Sequence, residues 1–403
     1  MSVGTVVSPD GAHGLEHVLT MTCARTPRIN NKSLVIAHRL PCDILQLLVS
    51  SIDQRKATMS AKTYKKLQVT KLSTNFREAC QVVEVPFRPV EEYEILIRNH
   101  WSAVNGTDVN TAAGRYVTDG VVPFDIGFEG HGVVQEVGSC VNSFKVGDAV
   151  MFLGIADGYS EFIYTDVRKG FPVLLPAPSV RVEYLGAWNC GLTAAIGLSE
   201  AARIQKGDKV LITAAAGGTG HIAVQWAKLK GCHVIGITST DEKAAFLRSI
   251  GADHVINYKR EDLRSVLEAT YPDGIDVVWE TIGGQTFEML FQQLAMKGRL
   301  VTLGGISGYL NDGFPDIRID NLPTKLLLNS ISLIGFKIFD YVSIMPDYCK
   351  QLMHAIDSGS IRVRLDQGEG TSEGPFVGMD GCVRAVQHMI SGQSQGRVVI
   401  KIQ

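Results

Sequence analysis

A chain of 403 residues is too long for one ordinary hydrophobic core, so two domains are expected. Hydrophobic residues make up 45% and charged ones 20%, and 39 basic residues face 41 acidic ones; this balance speaks against a nucleic-acid ligand or an acidic membrane surface. No apolar run approaches the roughly 18 residues of a membrane span, and the eight cysteines are scattered without a Cys-x-x-Cys, which argues for reduced thiols in an intracellular compartment rather than a disulfide framework or a zinc knot.

Residues 1–60 are expected to be an extension outside the fold. They show no sustained periodicity, and residues 17–42 carry Arg25, Arg28, Lys32 and Arg39 without one acid. Three readings stay open. The stretch is a mitochondrial targeting segment, or Arg39-Leu40 followed after five residues by Gln46-Leu47 is an amino-terminal peroxisomal address, or it is an unstructured extension with no address. In the last case the protein is expected in the cytoplasm.

From Lys65 the texture turns β-rich. Residues 66–70, 94–98, 133–137 and 148–152 are short, alternating or Val-rich runs, closely punctuated by Gly and Pro, which predicts a compact barrel-like domain. Near Tyr184 the register changes. Residues 209–214 (KVLITA), 233–237, 254–256, 275–279, 299–303 and 332–336 are short continuous apolar runs with helical or loop sequence between them, helical stretches beginning at Ile222 and Lys243. Such strands are buried on both faces, as a parallel sheet covered by helices requires. Six of them make an α/β doubly wound, Rossmann-type nucleotide-binding domain.

The run Ala214-Ala215-Ala216-Gly217-Gly218-Thr219-Gly220 follows the first of these strands and opens the first helix. A dinucleotide pyrophosphate needs backbone N–H groups at a helix N-terminus with no side chains in the way, so Ala215, Gly217, Gly218, Thr219 and Gly220 are assigned to the coenzyme. The second strand ends Gly236-Ile237-Thr238-Ser239-Thr240, with no acid to grip a free ribose 2′-hydroxyl. Ser239 and Lys243 are therefore assigned to a 2′-phosphate, and NADPH is the expected coenzyme. Lys243 as a solvated helix-start residue is the alternative, and Asp241 and Glu242 would repel the phosphate if they faced it.

The chain resembles the quinone-oxidoreductase branch of the medium-chain dehydrogenase/reductases, and within it the prostaglandin reductases. The residues that carry the resemblance are LSTNFRE at 72–78, VNGTDVN at 104–110, Gly114 to Tyr116, PFDIGFEG at 123–130, the loop at 214–220, VINYK at 255–259, GISGY at 305–309 and Gly396 to Val399. It implies a GroES-like catalytic domain over 61–185, a Rossmann domain over 186–340 and a return to the catalytic domain over 341–403, with the active site in the cleft between them. Zinc members of the family hold their metal with an early Cys, a Gly-His-Glu and a later Cys. Here Val104 to Asp108 contains no thiolate, the triplet reads Gly127-Phe128-Glu129, and His131 is displaced by three positions. No metal is expected. Carbonyl reduction builds an alkoxide that wants a Lewis acid, whereas hydride delivery to the β-carbon of an enone builds a delocalised enolate that a few donors can stabilise. Reduction of an α,β-unsaturated ketone is the implied activity, with a long-chain oxo-lipid and a small alkenal both open as substrates.

The resemblance also implies roles. Asn105 reaches the nicotinamide ribose, Thr193 approaches the nicotinamide, Tyr258 lies by the ribose phosphate, and Gly304 and Gly305 pass close to the nicotinamide. Asp108 is read as structural, in an Asx-type turn. Tyr309, in the Ile-Ser-x-Tyr position, organises the ribose hydroxyl that faces the substrate carbonyl. An ordinary helix threonine and a packing tyrosine are the alternatives for Thr193 and Tyr309. Tyr116, Phe336, Phe339 and Tyr341 line an apolar substrate pocket or belong to the core. Family members pair the edge strands of their Rossmann sheets, so a homodimer through 332–336 is expected. Two other functions stay open: a quinone reductase using the same site, and an NADPH-binding structural or trafficking protein with little turnover.

Overall fold

The computed structural model describes Ser2–Thr5, His17–Thr20 and residues 62–403 apart from 117, 155–156, 177–180 and 312. The chain divides into two units, Met1–Thr58 and Met59–Gln403. In the first, Ser2–Thr5 pairs antiparallel with His17–Thr20; the targeting readings of the extension rest on sequence outside the described residues. No helix among the described residues is long and apolar enough to cross a membrane.

Six parallel strands form one sheet of the second unit. In sheet order they are His254–Asn257, His233–Thr238, Lys209–Ile212, Ile275–Glu280, Leu294–Thr302 and Ser332–Gly335, so the chain starts in the middle and winds out both ways. This is the doubly wound order 3-2-1-4-5-6, whose crevice lies beyond the strand ends where the order reverses. The continuous apolar runs have the expected cause. Val210, Ile212, Val234, Val277, Trp279 and Val301 enter one core, which also holds Ile222 and Trp226 of helix Gly218–Leu229. Their neighbours Leu211, Ile235, Ile237, Val278 and Leu300 enter another, with Leu267 of Leu263–Thr270 and Phe287 and Leu290 of Gly284–Gln292. Alternation persists, but both faces are apolar because both are covered.

The β-rich part holds a seven-stranded sheet built around Glu94–Ala103, which pairs antiparallel with Glu129–Val137, Phe162–Asp166 and the C-terminal strand Arg397–Lys401. A three-stranded sheet sets Thr63–Val69 between Cys80–Pro86 and Phe124–Asp125. Several strands are longer than the sequence reading has them: 94–98 extends to Ala103, 133–137 begins at Glu129, and 299–303 is Leu294–Thr302. Glycine misleads that reading. Gly132 lies inside its strand, beside a register shift between Asn99 and Trp101, and a Cβ there would meet the carbonyl carbon of Arg98 at 2.8 Å. It marks a close backbone approach within a ladder, where a turn is the simpler expectation.

Candidate active site

A cleft of about 1270 Å³ runs between the β-rich part and the C-terminal ends of the parallel strands. It exceeds the roughly 300–1,000 Å³ of a typical small-molecule pocket, which leaves room for a dinucleotide and a second molecule.

At its centre lies the glycine loop. Gly217 caps helix Gly218–Leu229, so the free N–H groups of the first turn face the cleft. Gly220 allows the helix to lie against the strand end, since a Cβ there would sit 2.7 Å from the Cα of Ala215. Gly217, Gly218, Thr219 and Gly220 all line the cleft. Ala215 does not: it is fully buried and its N–H donates to the Ile237 carbonyl at 3.1 Å, so that amide is already spent. The loop is stitched to the C-terminal segment. Gly396 N–H donates to the Ala216 carbonyl at 2.7 Å, and the buried His221 joins the Gly217 carbonyl, 2.8 Å from Nδ1, to the Arg364 N–H, 3.3 Å from Nε2. The carbonyl needs a proton on Nδ1 and the N–H needs a lone pair on Nε2, so the ring is neutral; burial pulls its pKa down to about 4.

The second strand ends beside Ser239, Lys243 and Tyr258, all on the cleft wall, with Tyr258 half exposed at the rim. The Lys243 side chain is buried and donates to the Gly392 carbonyl at 2.6 Å, and burial lowers its pKa from the ordinary lysine value. One of its three ammonium protons is engaged there, leaving two for an anion. Asp241 is paired with Arg260 at 2.6 Å and accepts from Asn257 at 2.8 Å, Glu242 lies 3.4 Å from Arg364, and neither lines the cleft.

At the other end Asn105, Tyr116, Phe128, Thr193, Phe336 and Phe339 line the cleft, as do Gly304 and Tyr309. Two residues expected at this end of the wall lie elsewhere. Tyr341 is not on the cleft wall but stacks against Phe336, ring centroids 5.3 Å apart, because its backbone interrupts the 3₁₀ turn there. Gly305 faces a smaller apolar hollow behind the cleft, where Phe314 and Pro315 crowd it, and gives its N–H to the Tyr309 hydroxyl at 3.2 Å. The Tyr309 phenol is buried, which raises its pKa and keeps it a proton donor at neutral pH; the Gly305 N–H acts in the opposite direction.

Asn105 precedes helix Gly106–Ala112, whose third residue, Asp108, accepts from the Asn105 N–H at 2.8 Å and from the Tyr159 hydroxyl at 2.6 Å. Asp108 is thus a buried helix-start acceptor rather than part of an Asx turn, and burial pushes its pKa up to about 7. The Asn105 amide donates to Glu129 at 2.8 Å, while its oxygen accepts from Asn189 at 2.9 Å and from Arg397 at 3.3 Å. Glu129 and Arg397 form an ion pair that is almost wholly buried, and Arg397 also donates to the Val104 carbonyl. Sequence reasoning assigned no role to Glu129, Asn189, Cys190 or Arg397. A lone Arg in the apolar C-terminal strand and a lone Glu in a glycine-rich run were the available signals, since a buried charge demands a partner. Cys190 lines the cleft and accepts from the Thr219 hydroxyl at 3.2 Å; burial raises its thiol pKa. His131 is buried within the sheet with neither ring nitrogen bonded, away from the cleft wall, and its pKa falls to about 4. Among the described residues, no three His, Cys, Asp or Glu side chains converge as a metal site would need.

Residues 91–173 match the alcohol dehydrogenase GroES-like domain, and residues 218–358 match the zinc-binding dehydrogenase family. The chain is 41% identical to mouse prostaglandin reductase-3 over 344 residues, covering 85% of this chain and 90% of that protein. The chain belongs to the medium-chain dehydrogenase/reductase family. Within that family it is also 31% identical to the NADP⁺-dependent 2-alkenal reductase of Nicotiana tabacum, across 68% of this chain and 76% of that one. The Escherichia coli quinone oxidoreductase, solved in complex with NADPH, superposes with a TM-score of 0.72 at 26% identity, over 84% of this chain and 99% of the other.

The buried pair at the floor of the cleft gives a stability test. Glu129→Ala leaves the Arg397 guanidinium buried without its counter-charge and is expected to cost about 3–5 kcal/mol in chemical denaturation, whereas replacing both residues by apolar side chains (Glu129→Leu with Arg397→Met) is expected to recover most of that loss.

Proposed function

We propose that this protein is an NADPH-dependent reductase of the carbon–carbon double bond of α,β-unsaturated ketones. The observation that carries the reading is the polarity of one continuous cleft. From its centre to one end run a glycine-rich helix N-terminus and the buried Lys243 ammonium; at the other end, apolar walls surround the Tyr309 hydroxyl and the Asn105 side chain. Residues 61–185 with 341–403 act as the catalytic domain and residues 186–340 hold the coenzyme.

Bound NADPH supplies a hydride. The chain's own residues do the rest. The helix N-terminus, through the Gly218 and Thr219 amides, holds the pyrophosphate, with Gly217 leaving the approach open because it has no side chain, and Ser239, Lys243 and Tyr258 surround the 2′-phosphate. Thr193 and Gly304 shape the nicotinamide end. Phe128 and Phe336 exclude water, which strengthens every charge–dipole interaction within the cleft. Tyr309 would orient the coenzyme's ribose, and Asn105, its amide protons already given to Glu129 and the Ala103 carbonyl, shapes the pocket beside it, so that the Tyr309 hydroxyl is the donor available to the enolate oxygen as it gains charge. A quinone would enter the same space, and the similarity to quinone oxidoreductases favours that as the second reading.

We also propose a homodimer. Ser332–Gly335 is an edge strand, and Leu327 and Leu328 beside it are 77% and 69% exposed. The adjoining hollow of about 360 Å³ is lined by Phe314, Ile317, Leu322 and Leu333. A two-fold axis would pair the edges and cover these side chains together.

Steady-state NADPH consumption is expected to be fast with an enone, slower with a quinone and negligible with no acceptor; a quinone preference would select the second reading, and no turnover with either would leave a binding protein. Lys243→Ala should weaken NADPH binding by about ten- to a hundredfold and leave NADH nearly unchanged, in line with a charge-assisted phosphate contact of about 1.5–3 kcal/mol; equal loss of both coenzymes would remove Lys243 from the phosphate site. Light scattering at micromolar concentration is expected to give twice the 43.8 kDa chain mass, and a monomeric mass would refute the dimer.

A further inference from the structure

Tyr309 sits in a loop from the parallel-sheet part, yet the site needs it fixed relative to Asn105 on the β-rich part. The loop is thin in regular structure. A single 3₁₀ turn, Ile306–Gly308, precedes Tyr309, and Gly313 follows with φ +104°. Its own hydrogen bonds tie it to the parallel-sheet part: Ile306 N–H donates to the Thr281 carbonyl at 3.0 Å and Ser307 N–H to the Ile282 carbonyl at 3.1 Å. Across the cleft, Arg115 reaches over from the β-rich part. Its guanidinium donates to the Tyr309 carbonyl at 3.1 Å and to the Asn311 carbonyl. Among the described residues, these are the hydrogen bonds that join this loop to the β-rich part.

Arg115 is well placed for such a link. It follows helix Gly106–Ala112, and its N–H donates to the Asn110 carbonyl at 2.8 Å. Its stem lies over Gly313, where a Cβ would come within 3.3 Å of Arg115 Cδ, so the left-handed glycine lets the arginine approach both carbonyls. The start of the same helix meets the tyrosine ring: a Cβ on Gly106 would be 3.1 Å from Tyr309 Cε2. One buried helix therefore has Asn105 ahead of its first turn, the Tyr309 ring against that turn, and the arginine that holds the Tyr309 backbone just past its end. A planar guanidinium with two separate donors fixes two carbonyls at once, which an ammonium does not do.

We propose that Arg115 is a positioning residue for the reduction, setting the Tyr309 hydroxyl against the bound coenzyme and substrate by holding the Tyr309 and Asn311 carbonyls across the cleft. The inference rests on the reading of Tyr309 given above. Arg115 is not on the cleft wall and would touch neither coenzyme nor substrate.

The test is a cycle of wild type, Arg115→Gln, Tyr309→Phe and the double variant, with Arg115→Lys as the conservative change. Enone kinetics, NADPH dissociation constants and melting temperatures are measured for each. Arg115→Gln is expected to lower kcat about tenfold, because misplacement by about 1 Å can cost up to ~100-fold, with NADPH affinity and melting temperature close to wild type. Arg115→Lys is expected to fall between the two, and remains informative if the glutamine variant does not fold. In the Tyr309→Phe background the loss from Arg115→Gln should largely vanish, since the group being positioned is gone. The same fold-loss in both backgrounds, or a loss confined to NADPH affinity or stability, would make Arg115 a structural link and overturn the proposal. If Tyr309→Phe lowers kcat and Arg115→Gln does not, the proposal fails while the reading of Tyr309 stands. If Tyr309→Phe has wild-type kinetics, that reading fails and the role of Arg115 falls with it.

Discussion

The pairing of Glu129 with Arg397 is the contact on which the site depends. Two opposite charges with almost no exposure are tolerable only if each is neutralised and hydrogen-bonded, and here the demand draws together four distant segments. Glu129 begins a strand of the main β-sheet, Arg397 begins the C-terminal strand, and Val104 and Asn105 lead into helix Gly106–Ala112. Asn189 reaches the same cluster from the crossing into the parallel-sheet part. The Asn105 amide nitrogen donates to Glu129 and to the Ala103 carbonyl, and its oxygen is shared by Asn189 and Arg397, so its orientation is fixed before any ligand arrives. Such preorganisation is what a site acting by electrostatic stabilisation needs.

The same C-terminal segment governs the coenzyme end. Gly396 bonds the glycine loop, Arg364 bonds His221 on the helix that loop opens, and Gly392 holds Lys243. The C-terminal segment therefore contacts the glycine loop, the helix it opens and Lys243, one bond to each. His221 serves this arrangement only while neutral, and its depressed pKa keeps it so across the physiological range.

Much of this was legible in the sequence. Six continuous apolar runs specify a sheet covered on both faces, and the glycine loop between a strand and a helix locates the dinucleotide cradle; both follow from local physics. The lack of an acid after Thr238 is a local signal of the same kind, and the 2′-phosphate pocket proposed above rests on it. What was not legible is long-range. Glu129 and Arg397 are 268 residues apart, Lys243 and Gly392 are 149 apart, and Arg115 lies 194 residues from the carbonyl it holds. Each is an ordinary charged residue until the fold supplies its partner. Ala215 and Tyr341 fail for a different reason. A stretch of sequence identifies a loop or a rim, but the direction of each backbone amide and side chain depends on turn geometry that composition does not encode.

Reduction with NADPH doubly deuterated at the nicotinamide C4 tests the central claim most directly, with the product of an α,β-unsaturated ketone analysed by NMR and mass spectrometry. Hydride transfer to the β-carbon gives a saturated ketone carrying one deuterium at that carbon. Deuterium on the carbinol carbon of an allylic alcohol, or coenzyme consumed with no saturated ketone formed, would contradict it.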